Sequence, residues 1–520
     1  MLYNLDWLKP GSVFPPAVEV PRLTRYAQNA MLFDGDHFED PVFRSRNSLE
    51  PAYEPVNIYR LCAERISKVV GNFEDIISFP VLLNYQRLMS LKTADLVCGE
   101  YPSISGVTFE ENEAIKDVRD TTDFDAKLYA TVIDISRYGD AVWRVYLDKD
   151  TNQMNFTCWD PSEWFPIVAQ DGTNNIKQHC ICWRVNVSED QLNPKYELHV
   201  QIHGCDKASF GHYEHRVYSM GEGGQQISKL ISSEIVSTGL QSCAITNLRS
   251  FMTSNGVYGY DDYMPLDSIL SEIMVRVGQI SCILDKHADP NITGPVSMLS
   301  INPETGEYYL KTGKFFAVSS GEDQPQYMTW DGQLTSAFKQ LEFLVNQLYI
   351  LSEMGAALLG AGDGNGQAIS GTAFRFKMAN PLARVRRIAN SLSVPVRKLF
   401  SSLSVTAQLE SEIDLPIPYR RISVFWSDGL PDDPRENVEI AKLASGEEHM
   451  MPLEIAIMEY FGRSNDEARE WIRMLEEEAK KHEDLLEDTN HPGPQDGTGV
   501  NPNKKGSQSG LNDFHGMNNQ

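Results

Sequence analysis

Cysteine is scarce in this chain, with eight residues in 520 and no framework spacing. That content excludes a disulfide scaffold and predicts reduced thiols in a cytoplasmic protein. Long apolar runs are missing as well, because Glu353 interrupts the best candidate, and we expect no membrane span. The opening residues, MLYNLDWLKPGSVFPP, have no basic segment followed by an apolar one, so we expect no signal peptide.

Positive charge is in deficit, since the formal net charge is −26 at pH 7. This balance argues against a protein that coats nucleic acid with its whole surface, but it is compatible with a local basic patch. One basic stretch has no acidic residue between Asp363 and Glu410. Its cations are Arg375, Lys377, Arg384, Arg386, Arg387, Arg397 and Lys398. The stretch has two interpretations: it pairs with acidic neighbouring subunits, or it faces a polyanion.

Residues 358–376, LLGAGDGNGQAISGTAFRF, contain glycine at four alternate positions ahead of a helical pattern. These are Gly360, Gly362, Gly364 and Gly366. A phosphate-binding P-loop requires Gly-Lys-Ser/Thr after its first glycine and four further residues, and no lysine occurs here before Lys377. The dinucleotide pattern fails because Asn365 or Gln367 stands where its third glycine should be. The stretch therefore predicts a mobile connection between helices rather than a nucleotide site.

Residues 140–236 alternate apolar and polar side chains, as is typical of half-buried strands. The same region holds a possible metal cluster, which consists of His179, Cys180, Cys182, His199, His203, Cys205, His212 and His215. Zinc needs four ligands that converge tetrahedrally, and nothing in these spacings fixes the two pairs of ligands against each other. We therefore expect the cysteines to pack in a core, the histidines to lie on the solvated face, and no metal to bind.

Two long helical periods enclose a turn-rich insert. The first occupies residues 262–288 and the insert residues 289–330, where short strand-like runs alternate with turn signals. The second occupies residues 331–358, and Leu341 and Leu348 lie on its main apolar seam. Because each helix has more apolar surface than one partner can cover, we expect these seams to be buried only between subunits.

A narrow polar stripe follows the second helix at three-four spacing, and it consists of Lys339, Glu342, Asn346, Tyr349 and Glu353. A helix that is apolar on two flanks and polar on one stripe suits a ring of neighbours with one side facing water. The solvated face of an ordinary helical bundle would look similar.

The order of these elements resembles that of the portal proteins of tailed double-stranded DNA bacteriophages, of the long-tailed siphophage type. The matching segments are residues 84–104, 159–167, 261–290, 369–387, 430–446 and 451–478. They follow one another in the family's order and, with the sequence between them, cover most of residues 56–483. No single motif is diagnostic, so the resemblance depends on the sequence of elements.

The resemblance implies an α+β multidomain portal fold with a mixed α/β wing, a stem of long helices, a small β-containing clip, a kinked wing helix and a helical crown. The implied parts are an N-terminal wing (1–261), a first stem helix (262–288), a clip (289–330), a second stem helix (331–358), a tunnel loop (359–371), a kinked helix with wing return (372–428) and a crown (429–484). Residues 485–520 are rich in Gly, Asn and Gln and should be disordered.

The implied function is a dodecameric ring at one capsid vertex of the virion, assembled in the host cytoplasm, through which the genome is packaged and ejected. The implied partners are double-stranded DNA, the terminase large subunit, the head–tail connector protein, and the major capsid and scaffolding proteins. No catalysis, cofactor, metal or membrane is implied. In the stem, Lys339, Glu342, Asn346 and Glu353 would face the channel.

In this family the tunnel loop projects into the channel. Gly360, Gly362, Gly364 and Gly366 would let each copy of the loop shift as a duplex passes. Asn365, Gln367 and Ser370 would touch phosphates without a strong charge, and Asp363 would add repulsion. Two other classes stay open: another ring-forming connector or tail protein, which would lack the helix–insert–helix arrangement, and a nucleotide-driven packaging enzyme, which would need a P-loop.

Overall fold

The computed structural model describes two compact units, residues 1–430 and 431–520. The described residues are 1–37, 82–188, 194–251, 253–254, 256–288, 292–293, 299–310, 326–327, 334–359, 375–406, 416–427, 438, 442–443, 445, 451–461 and 465–489.

Helices occur throughout the described residues. They are α1 (Val20–Asp34), α2 (Tyr85–Cys98), α3 (Phe109–Thr121), α4 (Phe124–Tyr138), α5 (Asp267–Ala288), α6 (Leu334–Leu351), α7 (Gly355–Leu358), α8 (Ala379–Leu403), α9 (Leu453–Phe461) and α10 (Asn465–Thr489). Local sequence explains several of their ends. The Thr108 hydroxyl and the Glu111 carboxylate form a reciprocal capping box at the start of α3, and Gly139, with φ of 81°, ends α4.

The strands form two larger sheets and three two-stranded pairs. They are β1 (Ser103–Ser105), β2 (Asp140–Leu147), β3 (Met154–Trp159), β4 (Trp164–Val168), β5 (Ile176–Asn186), β6 (Tyr196–Gly204), β7 (His212–Met220), β8 (Ile227–Ser237), β9 (Ile245–Arg249), β10 (Ile292–Thr293), β11 (Leu299–Ile301), β12 (Tyr308–Leu310), β13 (Gln326–Tyr327) and β14 (Ser423–Phe425). The five-stranded sheet follows chain order from β4 to β8, the three-stranded sheet has the order β3-β2-β9, and all pairs are antiparallel. The strands predicted in residues 140–236 are thus confirmed.

The five-stranded sheet is covered on both faces at its β5 strand. Cys180 and Cys182 point to one face and pack with apolar residues of the N-terminal segment, among them Phe14. Ile181 points to the other face and belongs to a buried cluster with Val142 of the three-stranded sheet. Because successive side chains of a strand alternate between faces, the middle of β5, from Cys180 to Cys182, is apolar on both faces, whereas polar residues occupy its ends.

The largest core of the first unit surrounds α8. Leu392 and Leu399 of α8 are almost fully buried, in a cluster with Phe124 of α4 and Trp143 of β2. Full burial of a leucine side chain contributes about 2 kcal/mol relative to an exposed one, so this face anchors the helix firmly. Proline within a helical pattern predicts a bend or an interruption at Pro381 and Pro395, but both lie inside α8, which continues without a break from Ala379 to Leu403.

Two predicted helix boundaries are wrong. The first long helix begins at Asp267 rather than 262, because residues 263–266 form a turn in which the Leu266 N–H bonds the Tyr263 carbonyl at 2.9 Å. The second does not run unbroken to 358. It ends at Leu351, and a separate short helix, α7, follows. Glu353, with φ of 58°, is in the left-handed region, and a residue in that conformation interrupts a right-handed α-helix.

The second unit contains α9 and α10. The rings of Phe461 and Trp471 lie with centroids 6.0 Å apart, and Arg469 pairs with Glu454 at 2.8 Å. α10 continues to Thr489, beyond residue 484, where the sequence predicts a disordered tail to begin.

Candidate functional site

One flank of α6 is buried inside this chain. Leu348 is fully buried, in a cluster with Leu270 and Met274 of α5 and Met89 of α2, and Leu341 packs against the same cluster. The expectation that this seam is buried only between subunits is therefore wrong. The physical reason is that two helices of the same chain, α5 and α2, already supply its apolar partners.

The opposite flank of α6 is exposed and combines polar with large apolar residues. Lys339, Glu342 and Asn346 of the predicted polar stripe are exposed. Beside them on the helix surface, Phe343 is 59% exposed and Ile350 is 62% exposed. Phe343 and Ile350 are seven positions apart and thus lie on one line along the helix. The flank carries more apolar surface than a solvated face requires.

Glu353, the fourth residue of the predicted channel-facing set, lies beyond the end of α6. Its carboxylate forms an ion pair with Arg387 of α8, and both side chains are about half exposed. At that exposure an ion pair contributes little to stability. Glu353 is thus placed at the junction between α6 and α8, apart from the other three residues.

Arg384 of α8 contacts several other elements at this junction. Its guanidinium is buried and forms an ion pair with Asp262, which precedes α5. It also donates to the Ser352 carbonyl at 3.2 Å and to the Thr93 hydroxyl of α2 at 3.3 Å. Asp262 in turn accepts a hydrogen bond from Ser136 of α4. One side chain therefore connects both long helices to the helices of the N-terminal region.

Burial raises the pKa of the Asp262 carboxyl, and the charge of Arg384 opposes that shift.

A second arginine, Arg25, holds the turn before α5 from the N-terminal side. Arg25 of α1 contacts Asp261 at 2.8 Å and Asp267 at 2.6 Å. Both arginines are fork-shaped donors, which suits them to hold several acceptors in a fixed geometry.

A cavity of about 230 Å³ opens at the same junction. Apolar side chains, among them Phe251 and Met264, line it together with the ion pairs described above.

The residues of the predicted basic helix and of the predicted tunnel loop are distributed differently. Arg375 and Lys377 precede α8 and are exposed, whereas Arg384 and Arg387 are engaged with carboxylates of this chain. Pairing within one chain was neither of the two interpretations that the sequence offered. The glycine-rich loop, including Gly360, Gly362, Asp363, Gly364, Asn365, Gly366, Gln367 and Ser370, lies outside the described residues.

The His/Cys cluster of the five-stranded sheet divides into a buried and a more accessible part. Cys180 and Cys182 are buried as expected. The expectation that the histidines lie on a solvated face is wrong for His179 and His203, which are 5% and 2% exposed. These two are paired across β5 and β6, on the face of the sheet to which Ile181 also points. Burial lowers the pKa of His179 to about 4 and that of His203 to about 3, so both rings are neutral near pH 7.

The three accessible histidines of the cluster do not assemble with the cysteines. His199 and His215 stack on the Trp183 ring with centroids 5.4 and 6.1 Å away, and His212 is exposed. Among the described residues, the group with metal-ligand proximity is His179, Cys205 and Cys243, each with one ligand-type atom within 4.8 Å of the others. Cys243 lies outside the cluster that the sequence suggests, since it enters from the β8–β9 connection.

The described helices include none that is long and apolar enough to cross a membrane. No curated protein matches the chain in sequence. Solved structures with some similarity come from gene transfer agent (GTA) particles. A chain in the virion of the native GTA particle is 12% identical to this chain, with a TM-score of 0.40. The match covers 72% of this chain and 89% of that chain. A chain in the neck of the empty GTA particle, computed with C6 symmetry, is 13% identical, with a TM-score of 0.42. The match covers 69% of this chain and 85% of that chain. Such TM-scores do not establish a shared fold.

A family model gives the informative match. Residues 81–198 match the family described as "Phage portal protein, SPP1 Gp6-like". The matched segment runs from just before α2 into β6 and contains α4 and β2, which contribute Phe124 and Trp143 to the core around α8. Over this segment the chain is similar to phage portal proteins, and the resemblance predicted from the sequence is confirmed.

Proposed function

We propose that this chain is the subunit of a phage portal ring, a structural protein whose assembled channel passes the genome. The observation that carries the proposal is the exposed flank of α6, where Phe343 and Ile350 lie beside the polar residues Lys339, Glu342 and Asn346. In a ring, one part of such a flank packs on the neighbouring subunit while the other faces the channel.

Charge supports the same arrangement. A net charge of −26 per subunit is repeated around a ring, and an acidic channel wall does not retain DNA. Each phosphate contact with a fixed cation would add a salt-dependent attraction that slows passage. The polar stripe of α6 carries both positive and negative charge. It therefore offers the DNA duplex a hydrated surface without a strong net attraction.

The finer parts of the proposal concern partners. The ring contains twelve subunits and occupies one vertex of the capsid. Residues 289–330 form its narrow end, which contacts the terminase large subunit during packaging and the connector protein afterwards. Capsid and scaffolding proteins surround the wider part. Deletion of residues 300–325 is expected to abolish binding of the terminase while rings still form.

Ring formation is the direct test. Purified chain is examined by negative-stain microscopy and by sedimentation over a range of concentrations. We expect rings for the wild type, and a shift toward monomers for Phe343→Asp and Ile350→Asp, because each places a charge in an apolar contact. Asn346→Asp is the matched control: it adds the same charge to the polar stripe of the same helix, and rings should persist.

Three outcomes would contradict the proposal. A wild-type chain that stays monomeric at every concentration refutes the ring. Nucleotide hydrolysis by the purified chain supports a packaging enzyme instead. Intact rings that fail to admit DNA would favour another connector or tail protein. If both aspartate variants still form rings, the ring stands but α6 is not part of the contact between subunits.

A further inference from the structure

Two cysteine side chains meet where the two sheets of the first unit adjoin. Cys205 follows the last residue of β6, and its N–H donates to the Lys177 carbonyl at 2.9 Å. Cys243 lies two positions before β9. Both side chains are partly exposed, both are reduced, and their sulfurs lie within 4.8 Å of each other and of a ring nitrogen of His179.

The two thiols are not equivalent. The Cys205 S–H donates a hydrogen bond to Cys243, which lowers the pKa of Cys243 and raises that of Cys205. The N–H of Ile245 and the charge of Lys398 lower the pKa of Cys243 further, against the opposing effect of its burial. Cys243 is therefore the more acidic thiol of the pair and its attacking sulfur, and Cys205 is its hydrogen-bond donor.

The geometry of His179 argues against a metal ion at this position. The Trp164 indole N–H donates to His179 Nδ1 at 2.9 Å. A neutral imidazole whose Nδ1 accepts a hydrogen bond carries its proton on Nε2, so neither nitrogen offers a free lone pair to zinc. Two sulfurs without a nitrogen ligand form an incomplete zinc site.

We propose that Cys205 and Cys243 are a redox-sensitive pair that closes to a disulfide in the presence of a small-molecule disulfide, joining the end of β6 to the β8–β9 connection. The bond requires the two sulfurs, which lie within 4.8 Å, to approach to about 2 Å by rotation of the two partly exposed side chains. The inference does not depend on the proposed ring, because it concerns contacts within one chain.

The reaction is an ordinary thiol–disulfide exchange. The Cys243 thiolate attacks one sulfur of the small disulfide, forms a mixed disulfide and releases one small thiolate. The Cys205 sulfur then attacks Cys243 Sγ and releases the second small thiol, to which the Cys205 proton passes. Two protein thiols are oxidised and one small disulfide is reduced to two thiols, so atoms and electrons balance.

The test uses the full chain incubated with oxidised glutathione, followed by alkylation of free thiols and peptide mapping without reduction. We expect a peptide pair linked through Cys205 and Cys243. Cys180 and Cys182 are internal controls, because they are fully buried and burial raises the pKa of each. They should stay reduced and resist alkylation until the chain is denatured.

Variants separate the two roles. Cys205→Ser should stop at the mixed disulfide on Cys243. Cys243→Ser should slow the exchange severalfold, because burial still raises the pKa of the remaining Cys205 thiol. Cys158→Ser, which removes a partly exposed cysteine elsewhere, should leave linkage and rate unchanged.

Glutathione adducts without the Cys205–Cys243 link would overturn the proposal. So would tight binding of one zinc ion per wild-type chain that blocks the link until a chelator is added, since this would assign a metal site instead. If a serine variant fails to fold, the peptide map of the wild-type chain decides the question alone.

Discussion

The Arg384 guanidinium and the Asp262 carboxylate form a buried ion pair between residues 122 positions apart in the sequence. The pair joins α8 to the turn that precedes α5. Through Ser352 and Thr93 the same guanidinium also reaches the end of α6 and the middle of α2. The mutual arrangement of the long helices and the N-terminal region is therefore sensitive to one side chain.

Removal of either charge should destabilise the first unit. We expect Arg384→Ala and Asp262→Asn each to lower the free energy of unfolding by about 3 kcal/mol, since the remaining group is left buried without its partner. The double variant should lose less than the sum, which a double-mutant cycle in urea measures. Arg386→Ala, exposed on the same helix, is the control and should change stability by less than about 0.5 kcal/mol. Additive losses would show that the pair does not act as a unit.

Asp140 should make stability depend on pH. Its carboxylate accepts from the Tyr26 hydroxyl at 2.6 Å and from the Gly259 N–H at 2.9 Å, yet burial raises its pKa to about 6. Because the folded pKa exceeds the unfolded one, its contribution is fully present below about pH 4 and is lost as pH rises through about 6. From about pH 4 to 7 the wild type should lose about 2 kcal/mol relative to Asp140→Asn.

Urea unfolding of the two proteins at several pH values checks this expectation. Asp150→Asn removes an exposed carboxylate from the β2–β3 turn and should follow the wild type. A constant difference between wild type and Asp140→Asn across the range would mean that Asp140 does not titrate there.

Two glycines allow a close backbone approach beside Asp140. A Cβ on Gly259 would lie 2.0 Å from the Gly139 carbonyl oxygen, and one on Gly139 would lie 2.6 Å from the Tyr260 backbone. We expect Gly139→Ala and Gly259→Ala to lower the melting temperature strongly, since backbone must move in both. Gly172→Ala is the matched control for Gly139: it has a similar φ of +78° and no atom within 4 Å of the added Cβ. It should cost only the conformational term, about 1 kcal/mol. Equal losses at the two sites would exclude the steric explanation.

The glycine loop is predicted to act as a sliding contact for DNA, and packaging tests this prediction. Replacing Gly362, Gly364 and Gly366 with alanine narrows the accessible backbone conformations, so packaging should be impaired at any salt concentration while rings still form. Gln367→Lys should instead slow packaging at low salt and recover as salt rises, because each copy adds one phosphate attraction. The measurement is packaged DNA length against salt. Full-length packaging by both variants at every salt would contradict the prediction, and loss of nucleotide binding in the alanine variant would indicate a nucleotide site.

Hydrophobic periodicity predicts the helices and strands of this chain well, but it does not predict which other elements pack against them. The alternation in residues 140–236 and the three-four repeats before and after the insert mark real strands and helices. The same repeats do not distinguish Leu348, which packs on α5 within the chain, from Phe343, which is exposed. Both are large apolar residues of one helix, and the difference depends on which other helix covers which flank.

The site residues show the same limit. Arg384 belongs to a basic run in the sequence, but Asp262 is too far away along the chain for any local pattern to pair them. His179 occupies a position that alternation assigns to solvent, and it is buried because a second sheet covers that part of the face. Cys243 lies beyond residues 140–236, the range in which the sequence predicts strands, so no local pattern connects it with His179 or Cys205.

Strand β8 has a consequence for how the isolated subunit behaves. It is the last strand of its sheet among the described residues, it is 11 residues long, and nearly all of it is exposed, including Ile231 and Ile235. The backbone of an uncovered edge of this length offers a template for another extended chain. Concentrated subunits therefore carry a risk of ordered aggregation through β8, which a charged substitution at Ile235 would reduce without touching the interior of the sheet.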